Sequence, residues 1–290
     1  MRETQYFAEK SVEDTLGLLA LYGKRAVILA GGTDLVPRIN YYKLKPEVLV
    51  YIGNLGLEYI WEKGGRLLVG AATTLAEIAA SGKVAKKAGA LAEAADLAAT
   101  AAVRTTATIG GNLANASPAA DLAPPLLAMD AELRLQSEKG ERLVPLKDFF
   151  KGPGKTVLNP GELIIEVSLP FRRGRCVFLK LGRRKALSLS VVNTAVRLEM
   201  SGSTCREARI AVGAIAPTPI RCIEAEALLT GRSIDRELIG LCAETAIAAG
   251  RPLDDRRASA WYRKEAGTAL VVRALALAAG LETGEEGTEL

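Results

Sequence analysis

Apolar and polar positions along this chain follow three successive patterns. The first segment reads strand, helix, strand. Ser11 stands at an N-cap before Glu13 and Asp14, and Val12, Leu16, Leu19 and Ala20 recur at helical spacing until Gly23. Arg25 to Ala30 is a short buried-strand run ending at Gly31-Gly32, and Glu47 to Ile52 is a second, closed by Gly53-Asn54. Residues 1–57 therefore predict a small α/β unit.

A second pattern opens with a hairpin, Leu57 to Trp61 and Leu67 to Gly70, turning at Lys63-Gly64-Gly65. Thr74-Leu75-Ala76-Glu77 is a capping box, and the alanine-rich stretch Ala88 to Ala99 reads as helix, as does Asp121 to Ala128. Strands follow near Ala131 to Gln136, Arg142 to Pro145 and Leu163 to Leu169, giving an α+β unit over 58–171. The basic run Arg172-Arg173-Gly174-Arg175 marks a boundary. Beyond it, three antiparallel strands are predicted over Cys176 to Leu181, Leu189 to Met200 and Ala208 to Ala214. Helices at Cys222 to Leu229, Arg236 to Ala249 and Ser259 to Ala279 complete a third unit over 175–281. Residues 282–290, acidic and without periodicity, read as a flexible tail. The class is α+β.

Composition narrows the chemistry. The 290 residues include no histidine, which excludes Ser-His-Asp and Cys-His nucleophilic sites and His-ligated metals. Cys176, Cys205, Cys222 and Cys242 lie 29, 17 and 20 residues apart, too far for a zinc knuckle or an iron–sulfur loop, so no metal site is expected. They read as reduced thiols. Any redox chemistry then falls to an organic cofactor. The net charge of +5 gathers in Arg172–Arg175, Arg183-Arg184-Lys185 and Arg256-Arg257; with only 5% aromatics this fits a solvated or protein-docking face better than nucleic-acid binding. Ala266 to Leu281, the best apolar run, is broken by Arg273, and MRETQYFAEK has no apolar signal core, so no integral membrane segment and a cytoplasmic location are expected.

The informative feature is a pair of glycine stretches, AGGTDLVP at Ala30–Pro37 and ATIGGN at Ala107–Asn112. Adjacent glycines permit unusual dihedrals and close approach of a ligand, and successive N–H groups can converge on an anion such as a diphosphate. Neither stretch contains Lys or Arg, so backbone dipoles and the hydroxyls of Thr33, Thr108 or Ser117 would do the holding. Neither matches GxGxxG or the P-loop. Two such stretches from separate units place a cofactor in the cleft between them. Asp121 can accept hydrogen bonds from a ribose, or simply sit favourably near a helix start. Asp34, repelled by a diphosphate, is expected to turn away and bond its own loop amides.

With these motifs the chain resembles the FAD-binding subunit or domain of molybdenum hydroxylases, as in the medium subunit of carbon monoxide dehydrogenase and the flavin domain of xanthine dehydrogenase. The residues that carry it are AGGTDLVP, TIGGNLANASPAADLAPPLLAMDAEL from Thr108, FFKGPGKTVLNPGELIIEVSLP from Phe149 and VFLKLGRR from Val177. VGAIAPTPIRCIEAEALLTG from Val212 and ASAWYRKEAGTALVVRALA from Ala258 extend it over nearly the whole chain. The resemblance implies a two-subdomain FAD-binding fold of the vanillyl-alcohol-oxidase and CO-dehydrogenase flavoprotein type, with a C-terminal antiparallel sheet and helix cluster. It implies FAD contacts at Ile28, Leu29, Ala30, Gly31, Gly32, Thr33, Asp34 and Leu35, and at Thr108, Ile109, Gly110, Gly111, Asn112 and Ser117. Asp121 would contact the adenosine ribose, and Ile164 and Lys180 would lie near the flavin ring. Ala98 matches a further ring contact but is small where the xanthine enzymes carry an aromatic, and Asp34 replaces a common serine.

On the residues alone Lys180, in a strand, faces solvent; on the resemblance its ammonium lies by the isoalloxazine and raises its reduction potential. Tyr262 and Arg263 are given a packing or docking role. The implied role is electron transfer: electrons arrive from a 2Fe–2S subunit, itself fed by a molybdopterin-binding large subunit, and leave to NAD, a quinone or dioxygen. A heterotrimer or dimer of heterotrimers is implied, with no catalytic acid or base on this chain. The alternatives are a self-contained FAD-dependent oxidase or reductase of related fold, and a scaffold that has lost FAD.

Overall fold

The computed structural model describes residues 4–42, 44–184 and 187–281. The acidic tail and Lys185 of the second basic run lie outside them. The first lobe contains β1 (Gln5–Phe7), α1 (Val12–Tyr22), β2 (Ala26–Leu29), α2 (Leu35–Tyr42) and β3 (Val48–Tyr51). The strands form a parallel sheet in the order β1-β3-β2. Ser11 caps α1 as its sequence predicts, its side chain accepting from the Asp14 amide at 3.1 Å. Helix α2 was not visible in the sequence, where Ala30–Pro37 reads as a glycine loop. Pro37 falls in the first turn, where its missing N–H costs nothing.

The second lobe starts with the hairpin β4 (Ile60–Lys63) and β5 (Arg66–Gly70). It continues through α3 (Leu75–Ala80), α4 (Gly82–Lys87), α5 (Gly89–Leu97), α6 (Ala101–Arg104), α7 (Ile109–Asn115) and α8 (Ala123–Ala128). Strands β6 (Glu132–Ser137), β7 (Gly140–Pro145), β8 (Phe150–Gly152), β9 (Lys155–Thr156) and β10 (Leu163–Pro170) follow. The main sheet is antiparallel, β4-β5-β10-β6-β7, with β10 in the centre. Covered on both faces, β10 is a continuous apolar run rather than an alternating one. Ile164 and Val167 join the second lobe's core with Leu91, Ile109 and Leu133, whereas Leu163 and Ile165 pack with Leu16, Val48 and Val50 of the first lobe. One strand thus seams two lobes together.

The third lobe is a four-stranded antiparallel sheet, β11 (Arg175–Gly182), β12 (Ser190–Ser201), β13 (Thr204–Gly213) and the short β14 (Ile220–Arg221). Helices α9 (Ile223–Leu229), α10 (Arg236–Ala248) and α11 (Ala260–Ala279) share a core with one face. The other face, through Phe178, Ala195 and Ala211, belongs to the second lobe's core, against α5 and α8. Arg263 is buried and structural: it donates to the carbonyls of Val191 and Ala214 and to Asp255, fastening α11 to the sheet. Asp130 receives Arg209 and Arg221 at 3.2 and 2.8 Å and has Arg172 at 3.6 Å, an ionic tie between the second and third lobes. Among the described residues, no helix is long and apolar enough to cross a membrane.

Candidate functional site

The two glycine stretches meet. A side chain on Gly31 would collide with the carbonyl of Thr106, so the first stretch reaches the second only because residue 31 has no Cβ. Gly32 has φ +69°, a left-handed conformation that turns the chain from β2 toward α2. The second stretch is pinned from the other side. Ile109 N donates to Thr73 O, Gly110 N to Ala71 O, and Ala107 O accepts from Leu75 N, all within 3.0 Å. Gly110 is glycine because a Cβ would strike the Ala71 carbonyl.

Between them lies a cavity of about 300 Å³, at the small end of the ~300–1,000 Å³ usual for ligand pockets. Ile28, Ala30, Gly31, Gly32, Thr33, Asp34, Leu35, Thr108, Gly110, Gly111, Asn112 and Ile164 all line it. Leu29 and Ile109 stand just behind this wall: Leu29 packs beneath Gly32, and Ile109 is fully buried. The first stretch is the one that keeps free backbone donors. Among the described residues, the amides of Gly31, Gly32, Thr33 and Asp34 donate to nothing in the chain. Consecutive unsatisfied N–H groups at the end of a strand form a concavity suited to phosphate oxygens.

The second stretch differs from the expectation. It is not a loop but the first turn of α7, capped by Thr108, whose Oγ1 accepts from Gly111 N at 3.1 Å. Its amides from Ile109 to Asn112 are already engaged: Ile109 and Gly110 hold α7 against residues 71–73, and Gly111 and Asn112 close the first turn on Thr108. What it offers a ligand is bare glycine surface, the Thr108 hydroxyl and Asn112. The buried Oδ1 of Asn112 has no hydrogen-bond partner, an acceptor left waiting for a donor. The sugar and ribityl hydroxyls flanking the diphosphate of FAD are such donors, so the residues present fit that cofactor.

Two further expectations are corrected. Asp34 does not bond its own loop amides; it lies 3.6 Å from Arg38, one helical turn ahead on α2. The cleft is not free of cations, because Arg38 lines it. The sequence reading missed Arg38 along with α2, the helix that brings it round. Glu162 also borders the cleft, but the Arg142 guanidinium grips both its oxygens at 2.7 and 2.8 Å. Burial would raise the Glu162 pKa; hydrogen bonds from Arg142 and the Asn159 amide outweigh it and hold the carboxyl below its usual range.

Asp121, Lys180, Ala98 and Ser117 are not among the residues lining this cleft. Lys180 does not face solvent: its ammonium, in a side chain 9% exposed, donates to Asp121 Oδ2 at 2.6 Å and to Leu97 O at 2.9 Å. Asp121 Oδ1 accepts from Ser190 and Asn193 at 2.5 and 2.8 Å, so this carboxylate is engaged across the joint between second and third lobes. Ala98 is buried beside it in sequence to Leu97, and Ser117 accepts locally from Ala119 N. Lys180 also lines a second cavity of about 490 Å³ with Leu97, Arg183, Arg184, Arg257 and Tyr262. There the two basic runs converge, Arg183 donating to Arg256 O at 3.1 Å.

Comparison with known proteins identifies the family. Residues 2–172 match the family described as the FAD binding domain in molybdopterin dehydrogenase, and residues 177–278 match the CO dehydrogenase flavoprotein C-terminal domain. The carbon monoxide dehydrogenase medium chain of Hydrogenophaga pseudoflava is 33% identical over 273 residues, covering 93% of this chain and 95% of that one. The 6-hydroxypseudooxynicotine dehydrogenase complex subunit alpha of Paenarthrobacter nicotinovorans is 36% identical over 277 residues, covering 94% and 93%. A solved carbon monoxide dehydrogenase from Hydrogenophaga pseudoflava superposes with a TM-score of 0.92 at 34% identity, covering 95% of this chain and 97% of that one. The α+β architecture is therefore that of the CO-dehydrogenase flavoprotein, and the chain belongs to the family of FAD-binding oxidoreductase subunits of the molybdenum hydroxylases.

Proposed function

We propose that this chain is an electron-transfer subunit standing between a 2Fe–2S subunit and a terminal acceptor (NAD, a quinone or dioxygen), while a molybdopterin-binding large subunit oxidises the substrate. Such an assembly is a heterotrimer or a dimer of heterotrimers in the cytoplasm. FAD supplies redox chemistry that no side chain of this chain provides. The observation that carries the reading is the row of four amides, Gly31 to Asp34, unpartnered among the described residues, on one cleft with Thr108 and with Asn112, whose buried Oδ1 has no partner. The amides hold the diphosphate, Thr108 and Asn112 orient the flanking hydroxyls, and Ile28 and Ile164 close the walls. Residues 1–57 and 58–171 act as the two FAD-binding subdomains, with 175–281 as the C-terminal domain. Lys180 serves the ring end of the cofactor, its charge favouring the reduced, anionic form; Asp121, 2.6 Å from that ammonium, positions it rather than reaching the adenosine ribose at the opposite end of FAD.

Purification of the chain from its native source tests the assignment. The expected preparation is yellow, with flavin absorbance and iron–sulfur and molybdenum subunits alongside. A colourless chain recovered alone would contradict it.

A further inference from the structure

We propose that Arg38 is a phosphate-binding residue for FAD, held at the cleft rim by Asp34 and exchanged from that carboxylate to the cofactor diphosphate on binding. The inference rests on the FAD placement above and concerns the charged side chains at that cleft. Three charged side chains line the cleft: Asp34, Arg38 and Glu162. Glu162 is neutralised by the Arg142 fork. Among the described residues, that leaves Arg38 as the one cation lining the cleft and Asp34 as the one carboxylate without a fork of its own.

A diphosphate drawn to the amides of residues 31–34 meets the Asp34 charge in the same loop. Backbone dipoles alone would have to overcome that repulsion. Arg38 is placed to remove it. Its side chain lies 3.6 Å from Asp34, and the two are 54% and 51% exposed. A pair this exposed contributes little, so the guanidinium can leave it at negligible cost. The planar fork of arginine matches phosphate oxygens with two parallel donors, which a lysine here would not. Helix α2 supplies the mechanism of delivery, because one turn separates the residue that repels the ligand from the residue that attracts it.

The test is titration of the flavin-stripped full-length chain with FAD and with ADP, at low and high salt, with melting temperature recorded as a check on folding. Arg38→Ala is expected to weaken both ligands by about tenfold at low salt, as for a lost charge-assisted hydrogen bond, and less at high salt. Asp34→Asn is expected to tighten both, and the double variant to return near the wild type. Arg38→Lys should recover only part of the loss. A wild type that binds FAD beside an Arg38→Ala chain within twofold of it overturns this inference alone. A double variant no better than Arg38→Ala also overturns it, since Arg38 would then not offset Asp34. A wild type that takes up neither FAD nor ADP overturns the FAD placement and this inference together.

Discussion

Lys180 and Asp121 form an ion pair 2.6 Å long in which each side chain is more than nine-tenths buried, and the two residues come from different lobes. Removing one partner strands the other charge away from water, which typically costs about 3–5 kcal/mol. Lys180→Met is therefore expected to lower the unfolding free energy by about that amount, and Lys180→Met with Asp121→Asn to recover a large part of it. Denaturant unfolding of the four members of the cycle measures the coupling. Additive losses would show that the pair does not tie the lobes.

The contact between Gly31 and Thr106 predicts an ordering of glycine variants. Gly31→Ala drives a methyl group into a backbone carbonyl that cannot move without displacing α7. Gly111→Ala meets only the Thr108 hydroxyl, at 3.0 Å. Flavin retention, read by visible absorbance after desalting, should be lost in Gly31→Ala and only reduced in Gly111→Ala, with far-ultraviolet circular dichroism unchanged in both. Gly32→Val combines a branched side chain with φ +69° and should also release the flavin.

Acid should loosen the third lobe. Burial raises the Asp130 pKa, but the Arg221 hydrogen bond and the charges of Arg221, Arg209 and Arg172 overcome it, leaving the value below 3.8. Glu207, beside Arg197 and Arg209, is held below 4.5 in the same way, against its own burial. Carboxylates depressed in the folded state bind fewer protons there than when unfolded. Their stabilisation is complete above the ordinary values and drains away as pH falls through the folded ones. The contribution of these two carboxylates should be constant above 4.5 and decline as pH falls below 4.5 for Glu207 and 3.8 for Asp130, and Asp130→Asn should lower the plateau and flatten the decline. Urea unfolding midpoints across that range give the slope.

The thiols should be inert while the chain is folded. Burial pushes Cys176, Cys222 and Cys242 up to about 12, and it raises Cys205 as well. At pH 8 the nucleophilic thiolate is scarce and screened by packing. Ellman's reagent should report little reaction in buffer and all four thiols in denaturant. Prompt reaction of a folded thiol would place a cysteine in an open, cationic setting.

Much of this site is legible in the sequence, for a local reason. Paired glycines beside Thr33 and Thr108 announce backbone approached closely, and capping residues such as Ser11 and Thr74 act within one helical turn of themselves. Recognition of the family rests on the same short strings. What the pattern misread are cases where a distant partner overrides local appearance. Thr108 to Asn112 looks like a loop because two glycines disfavour helix, yet hydrogen bonds to Ala71 and Thr73 recruit them into the first turn of α7. Lys180 looks exposed because strand lysines usually are, until Asp121, 59 residues away, buries it.

The sequence by itself therefore determined the three successive units and their main strands and capped helices, the absence of histidine chemistry, and the presence of two glycine-paired stretches. Those follow from periodicity, capping and residue type, which act over a few positions. Only the tertiary structure decided that the first stretch alone keeps its amides free, that Arg38 turns into the cleft, and that β10 serves two cores. Each depends on which backbone donors the packed chain has already used, and a donor is used up only when folding brings its acceptor within about 3 Å.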